Sequence, residues 1–183
     1  MDTKTKATIE DLYRVPENGK AELVDGEILI MSPTGYLSGY AGGEIFVSLR
    51  EYARRTKTGL ATPDSVGYSV NLPNRGSFSP DAAFYIGVAT GMKFLEGAPV
   101  FAAEVRSEND YGPVSESAIA NKRNDYFDAG TLVVWDVDLL SVDVVKVYRA
   151  SAPDHPTTYR RGDMAEAEPA LPGWNMPVDD LFG

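Results

Sequence analysis

The sequence predicts an α/β fold: a mixed central β-sheet flanked by helices, with an N-terminal β-hairpin. Three observations predict it. Val100-Phe-Ala-Ala-Glu-Val-Arg-Ser107 and Leu132-Val-Val-Trp-Asp-Val137 read as buried strands, and the continuous apolar run of the second is typical of a strand covered on both faces. Between them, residues 113–129 form an amphipathic stretch with the length of a crossover helix joining parallel neighbours. Near the start, Ala21-Glu-Leu-Val24 and Glu27-Ile-Leu-Ile-Met31 flank Asp25-Gly26, and apolar runs separated by Asp-Gly are a strong hairpin signal.

The remaining elements follow in order. Thr8-Ile-Glu-Asp11 has the form of a helix N-cap with an acidic residue three positions on, opening one short turn through Leu12-Tyr13. Pro16-Glu-Asn-Gly19 is a loop. Ser32-Pro-Thr-Gly35 breaks the sheet, and a helix of about six turns runs from near Tyr36 to Lys57. Its apolar face holds Ile45, Leu49 and Tyr52 or Ala53, while Gly39, Gly42 and Gly43 weaken the half before Glu44. Val66 to Leu72 alternates as a strand, Pro73-Asn-Arg-Gly76 turns, and Ala82-Ala-Phe-Tyr-Ile86 is another strand. A loop over 87–97 is expected to hold one helical turn through Met92-Lys-Phe-Leu95. After the helix over 113–129, Gly130 is its C-cap, Val142 to Tyr148 is a return strand, and Thr157 to Arg161 adds a short one. The C-terminal Leu171-Pro-Gly-Trp-Asn-Met-Pro-Val178 packs Trp174 onto the core. With no repeat and no long linker, residues 1–183 read as one domain.

Composition removes several classes of chemistry. There is no cysteine, hence no disulfide and no thiolate metal site. The single histidine, His155, lies between Asp154 and Pro156 in an expected turn, which excludes a multi-histidine metal site and most histidine-based triads. No stretch approaches a membrane span and the first residues lack an apolar leader, as expected of a cytoplasmic protein. The formal net charge of −10 argues against a broad nucleic-acid-binding surface, leaving only local basic segments at Arg50, Arg54, Arg55 and Lys57 and at Lys122-Arg123.

Chemistry must then run on carboxylates, lysine, arginine, tyrosine or hydroxyls. Glu104 is a lone carboxylate ending an apolar strand, costly to bury unless paired. Asp81 opens the neighbouring apolar strand, and Lys122 shares the apolar stripe of Ile119 and Tyr126. Two carboxylates at adjacent strand ends with a lysine nearby suit a hard divalent cation and a polarised water. For Mg²⁺, Asp81, Glu104 and a backbone carbonyl near Val105 would suffice. Two readings of Lys122 stand side by side: a site residue, or a snorkelling lysine with its head in water. Strand alternation sets Glu22 opposite in facing to Leu23, and its default reading is outward and solvated.

This order of elements, with carboxylates at strand ends, resembles the PD-(D/E)xK nuclease-like superfamily and its restriction-endonuclease-like core. Within it the chain is similar to the Uma2 family. The resemblance rests on Glu22-Leu-Val-Asp-Gly-Glu27, Met31-Ser-Pro-Thr34, Ser79-Pro-Asp-Ala-Ala-Phe84, Glu104-Val-Arg-Ser107, Lys122 with Tyr126, Ala129-Gly130, Val134-Trp-Asp-Val-Asp138, Val144 to Tyr148 and Leu171-Pro-Gly173. It implies an active site of Glu22, Asp81, Glu104 and Lys122, with the lysine moved into the helix and Arg106 in its usual place. It further implies a Mg²⁺-dependent endonuclease acting on DNA, with Mn²⁺ as a possible substitute metal. The other expectation is a catalytically inactive nuclease-fold domain serving as a binding module, and a homodimer is left open. The chain departs from the family in carrying Leu37-Ser38 where a histidine is common, and Ser107-Glu108-Asn109 where Ser-Pro-Ser is usual. On this reading Asp81, Glu104 and Glu22 repel one another without metal, with Lys122 alone to offset them.

Overall fold

The computed structural model describes residues 6–15 and 19–183. Most of the predicted loop over 16–19 falls outside that range. Thr8 caps α1 (Ile9–Leu12) with the expected reciprocal bonds to Asp11. β1 (Lys20–Val24) and β2 (Glu27–Met31) form the predicted antiparallel hairpin. Asp25 at φ 51° and Gly26 at φ 77° give it the two positive φ values of a type I′ turn.

The central sheet has six strands in the order β11-β10-β9-β8-β6-β3. They are β3 (Leu60–Pro63), β6 (Ala82–Tyr85), β8 (Phe101–Val105), β9 (Val133–Val137), β10 (Val145–Arg149) and β11 (Ala152–Tyr159). β8 and β9 are parallel neighbours joined through α3 (Pro113–Asp128), as the crossover length predicted. Every other pairing in this sheet is antiparallel.

Alternation along the strands divides the core between two faces. On one, Ala82, Phe84, Phe101, Ala103, Val133 and Trp135 pack under α2 (Tyr36–Thr56) through Ala41, Ile45, Leu49 and Tyr52. Trp174, Met176 and Leu181 complete that layer, so the C-terminal segment packs as expected. On the other face, Ala83, Ala102 and Val134 meet Tyr126 of α3 and the small sheet of β4 (Tyr68–Ser69), β5 (Ser77–Phe78) and β7 (Leu95–Glu96).

α2 itself runs from Tyr36 as expected, and at Gly42, where a Cβ would lie 3.5 Å from the Cβ of Asp81, it rides close over that strand end. Several local expectations are corrected. The strand expected over 66–72 shrinks to Tyr68–Ser69, and the turn expected at 92–95 is instead the entry to β7. His155 lies within β11, not in a turn. Two prolines, Pro153 and Pro156, are tolerated there because β11 is an edge strand.

Candidate active site

One row of acids organises the site. Glu104 on β8 faces Asp136 on β9. Counting one residue past the ladder pairs Pro63↔Ala82 and Ala82↔Ala103 sets Asp64 and Glu104 on either side of Asp81. Four carboxylates thus run side by side across β3, β6, β8 and β9 on the face that α3 covers. Directly opposed like charges destabilise a sheet, so each acid needs a cation from elsewhere.

Lys20 of β1 bridges the first gap, its Nζ 2.7 Å from Asp64 and 2.8 Å from Asp81. Lys122 of α3 serves Glu104, with Nζ 2.9 Å from Glu22 Oε1 and 3.0 Å from Glu104. Arg106, just past β8, clamps Asp136 through Nε and Nη2 at 2.7 and 2.8 Å and also pairs with Glu116. Arg106 is therefore fully engaged as a structural clamp.

The hairpin positions both Lys20 and Glu22. Residues two apart on a strand share a face, and that face of β1 is pressed onto residues 74–79 by Gly76 N–H to Leu23 O and Leu23 N–H to Ser77 Oγ, both at 2.8 Å. Glu22 is consequently buried, with 4% of its surface exposed, and the outward reading is overturned. It accepts from Ser79 N–H at 2.8 Å and from Arg75 at 2.8 Å; Arg75 in turn binds Asp125 at 2.7 Å. Lys122 is likewise no snorkelling lysine, since its head lies between two carboxylates.

The two acids at the centre are held in fixed rotations. Asp81 Oδ2 accepts Val105 N–H at 2.7 Å, capping the edge of β8 where β6 has ended. The N–H and C=O of one strand residue project to the same side, so the Val105 carbonyl shares that edge. Tyr126 donates to Glu104 Oε1 at 2.6 Å and is itself fixed by stacking on Phe78 at 3.9 Å.

Burial, followed by the Asp81 and Glu22 charges, holds Glu104 above its ordinary pKa, and the Lys122 ammonium only partly offsets them. Burial pushes Glu22 the same way, but Lys122, Arg75 and the Ser79 N–H outweigh it and hold Glu22 low. Lys122 stays cationic: burial opposes its charge, and Glu104 and Glu22 more than compensate. Lys122 is thus not alone in offsetting the acids, because Lys20 and Arg75 share the work. The pairs form two chains, Asp64–Lys20–Asp81 and Asp125–Arg75–Glu22–Lys122–Glu104, each with a formal charge of −1.

The donor set fits a hard divalent cation. The chains end side by side at Asp81 and Glu104, and one divalent cation there would neutralise both. His155 is on β11, at the far edge of the sheet. Among the described residues no group of three or more His, Asp or Glu side chains is placed to hold a metal ion, so the donors here are two carboxylates and a backbone carbonyl.

Residues 9–179 match the family Uma2, described as "Putative restriction endonuclease". The chain belongs to the Uma2 family. A crystal structure from Anabaena variabilis ATCC 29413, described as "a putative nuclease belonging to DUF820", superposes with a TM-score of 0.74 at 16% identity, covering 96% of this chain and 97% of that one. At that identity the likeness establishes the fold alone, an α/β core around a mixed sheet. No curated protein matches the sequence.

Sequence reasoning from the family resemblance brought Glu22, Asp81, Glu104 and Lys122 together, and all four meet at one end of the sheet. It missed Lys20, Asp64, Arg75 and Tyr126 as members of the cluster. Lys20 and Glu22 at alternate positions of one short strand were the available signal. Arg75 offered none, being a charged residue in a turn.

Proposed function

We propose that this protein is a Mg²⁺-dependent endonuclease that hydrolyses phosphodiester bonds in DNA, with Asp81, Glu104 and the Val105 carbonyl as metal ligands. The observation that carries the reading is the meeting of the two singly negative chains at Asp81 and Glu104. When bound, the metal would supply a polarised water and a counter-charge for the phosphate. Asp81 and Glu104 present oxygens whose rotations Val105 N–H and Tyr126 fix, so little reordering accompanies binding. Lys122 keeps its proton and donates toward the attacking water or the charge developing on phosphate. Glu22, held anionic, orients the Lys122 ammonium. Arg106 has no part as a base, because a guanidinium keeps its proton up to a pKa of about 12 or above. A cleft of about 440 Å³, lined by Tyr13, Lys20, Ser65, Gly67, Ser79 and Phe94, reaches Lys20, the cation paired with Asp81.

A second reading, a nuclease-fold binding module without turnover, is favoured by the net charge of −10 and by the ammonium already on each central acid. Incubation with plasmid and oligonucleotide DNA in Mg²⁺ or Mn²⁺ separates the two. The nuclease reading expects metal-dependent cleavage that Asp81→Asn, Glu104→Gln and Lys122→Met each abolish. No cleavage under any metal favours the module, whereas cleavage that survives all three substitutions refutes the assigned site.

A further inference from the structure

We propose that Lys20 is the exchangeable counter-ion of Asp81, and that Asp64 is the seat to which its ammonium withdraws when a divalent cation occupies the site. The inference rests on the metal site of the nuclease reading, not on turnover.

The geometry sets one ammonium between two unequal partners. Asp81 is enclosed, with 19% of its side chain exposed, whereas Asp64 stands at the rim with 44% exposed. A turn holds Asp64 there: Ser65 has φ 67°, and its N–H reaches Asp64 Oδ1 at 2.7 Å. A non-glycine residue in the left-handed region persists only where its surroundings enforce it. Lys20 lies within 3 Å of both aspartates at once, so leaving Asp81 needs only a small swing of a flexible stem. A lysine suits that exchange because it is a point charge with rotatable donors, whereas arginine's planar fork would lock both acids.

The consequence is electrostatic. Beside both acids, Lys20 neutralises half the charge Asp81 offers. Withdrawn onto Asp64 it forms a neutral pair, and Asp81 presents its whole charge to the metal. Without Asp64, the ammonium has Asp81 as its only aspartate partner, and metal binding must expel it into water. Asp64 thus aids binding through Lys20, while Lys20 competes with the metal.

Isothermal titration calorimetry of Mn²⁺ into the full chain at fixed ionic strength tests this, using wild type, Asp64→Asn, Lys20→Met and the double variant. Asp64→Asn is expected to raise Kd about tenfold, within the range of coupling between contacting charges. Lys20→Met is expected to lower Kd. In the Lys20→Met background the Asp64→Asn effect should shrink below about twofold, because contacting residues couple and independent ones add. Should Lys20→Met fail to fold, Lys20→Arg replaces it, and its locked fork should raise Kd. An equal Asp64→Asn effect in both backgrounds overturns the proposal, since direct attraction between Asp64 and the cation at a distance is additive. So does an unchanged Kd in Asp64→Asn. Absence of Mn²⁺ binding in every protein overturns the metal site itself, and the inference with it. The two failures are therefore distinct.

Discussion

The row of acids ends in two different ways. At β9, Asp136 is held by a planar guanidinium through two parallel bonds, its side chain 4% exposed, and Glu116 takes up another donor of the same arginine. At β3, β6 and β8, Asp64, Asp81 and Glu104 are held by ammonium groups, and Asp81 and Glu104 keep 19% and 25% of their side chains exposed. Both ends answer the same like-charge problem. The arginine end is closed, with its fork matched to Asp136 and no place for a ligand. The lysine end leaves carboxylate lone pairs at the surface beside displaceable point charges. Whether a buried acid is structural or available for binding is thus set by the geometry of its counter-cation.

The largest expected effect lies at the closed end. Arg106→Met strands Asp136 without its partner, and breaking a buried pair in this way costs about 3–5 kcal/mol. Urea denaturation should show that loss, and one below about 1 kcal/mol would erase the contrast between the two ends. Lys122→Met should cost less, about 1–3 kcal/mol, because Glu22 keeps Arg75 and the Ser79 N–H while Glu104 keeps Tyr126.

Much of this contrast was invisible in the sequence for a physical reason. Strands show through local pattern: the runs ending at Val105 and Val137 and the Asp-Gly turn are legible because burial and turn chemistry act on neighbours. Ion pairs do not. Lys20 meets Asp81 from 61 residues away, and Arg75 meets Glu22 from 53. Alternation put Glu22 opposite Leu23, correctly, but could not reveal that β1 is buried on both faces at those two residues. Clustered acids were expected to repel with little relief, so removing two of them seemed harmless to the free protein. With Lys20 and Lys122 in place, Asp81→Asn with Glu104→Gln instead removes one of the two carboxylate partners of each ammonium, leaving Asp64 and Glu22, and should lower stability modestly without metal.

Smaller effects sharpen the open end. Tyr126→Phe keeps the stack on Phe78 and removes the 2.6 Å bond to Glu104, a loss of about 1 kcal/mol by thermal denaturation. The pH dependence should separate Glu104 from Glu22. Glu104 titrates above the ordinary value of 4.5, so the folded state holds its proton more tightly than the unfolded chain. Its contribution to stability therefore grows as pH falls through the folded pKa toward 4.5, and Glu104→Gln should remove that gain. Glu22 titrates below 4.5, so its contribution is present above 4.5 and is lost as pH falls through its folded pKa. Stability–pH curves for Glu104→Gln and Glu22→Gln that deviate from wild type in the same direction would contradict this division.

The most direct measurement is the metal response of thermal stability. A divalent cation that binds the folded site and not the unfolded chain stabilises by about 2.7 kcal/mol at a hundredfold excess over Kd. Melts of wild type and of Asp81→Asn with Glu104→Gln, with and without Mn²⁺ at fixed ionic strength, read it. The account predicts a rise in Tm for wild type and none for the double variant, whose metal-free Tm is already lower. An equal rise in both proteins would mean that Asp81 and Glu104 are not the metal ligands, and the nuclease reading would lose its chemical basis.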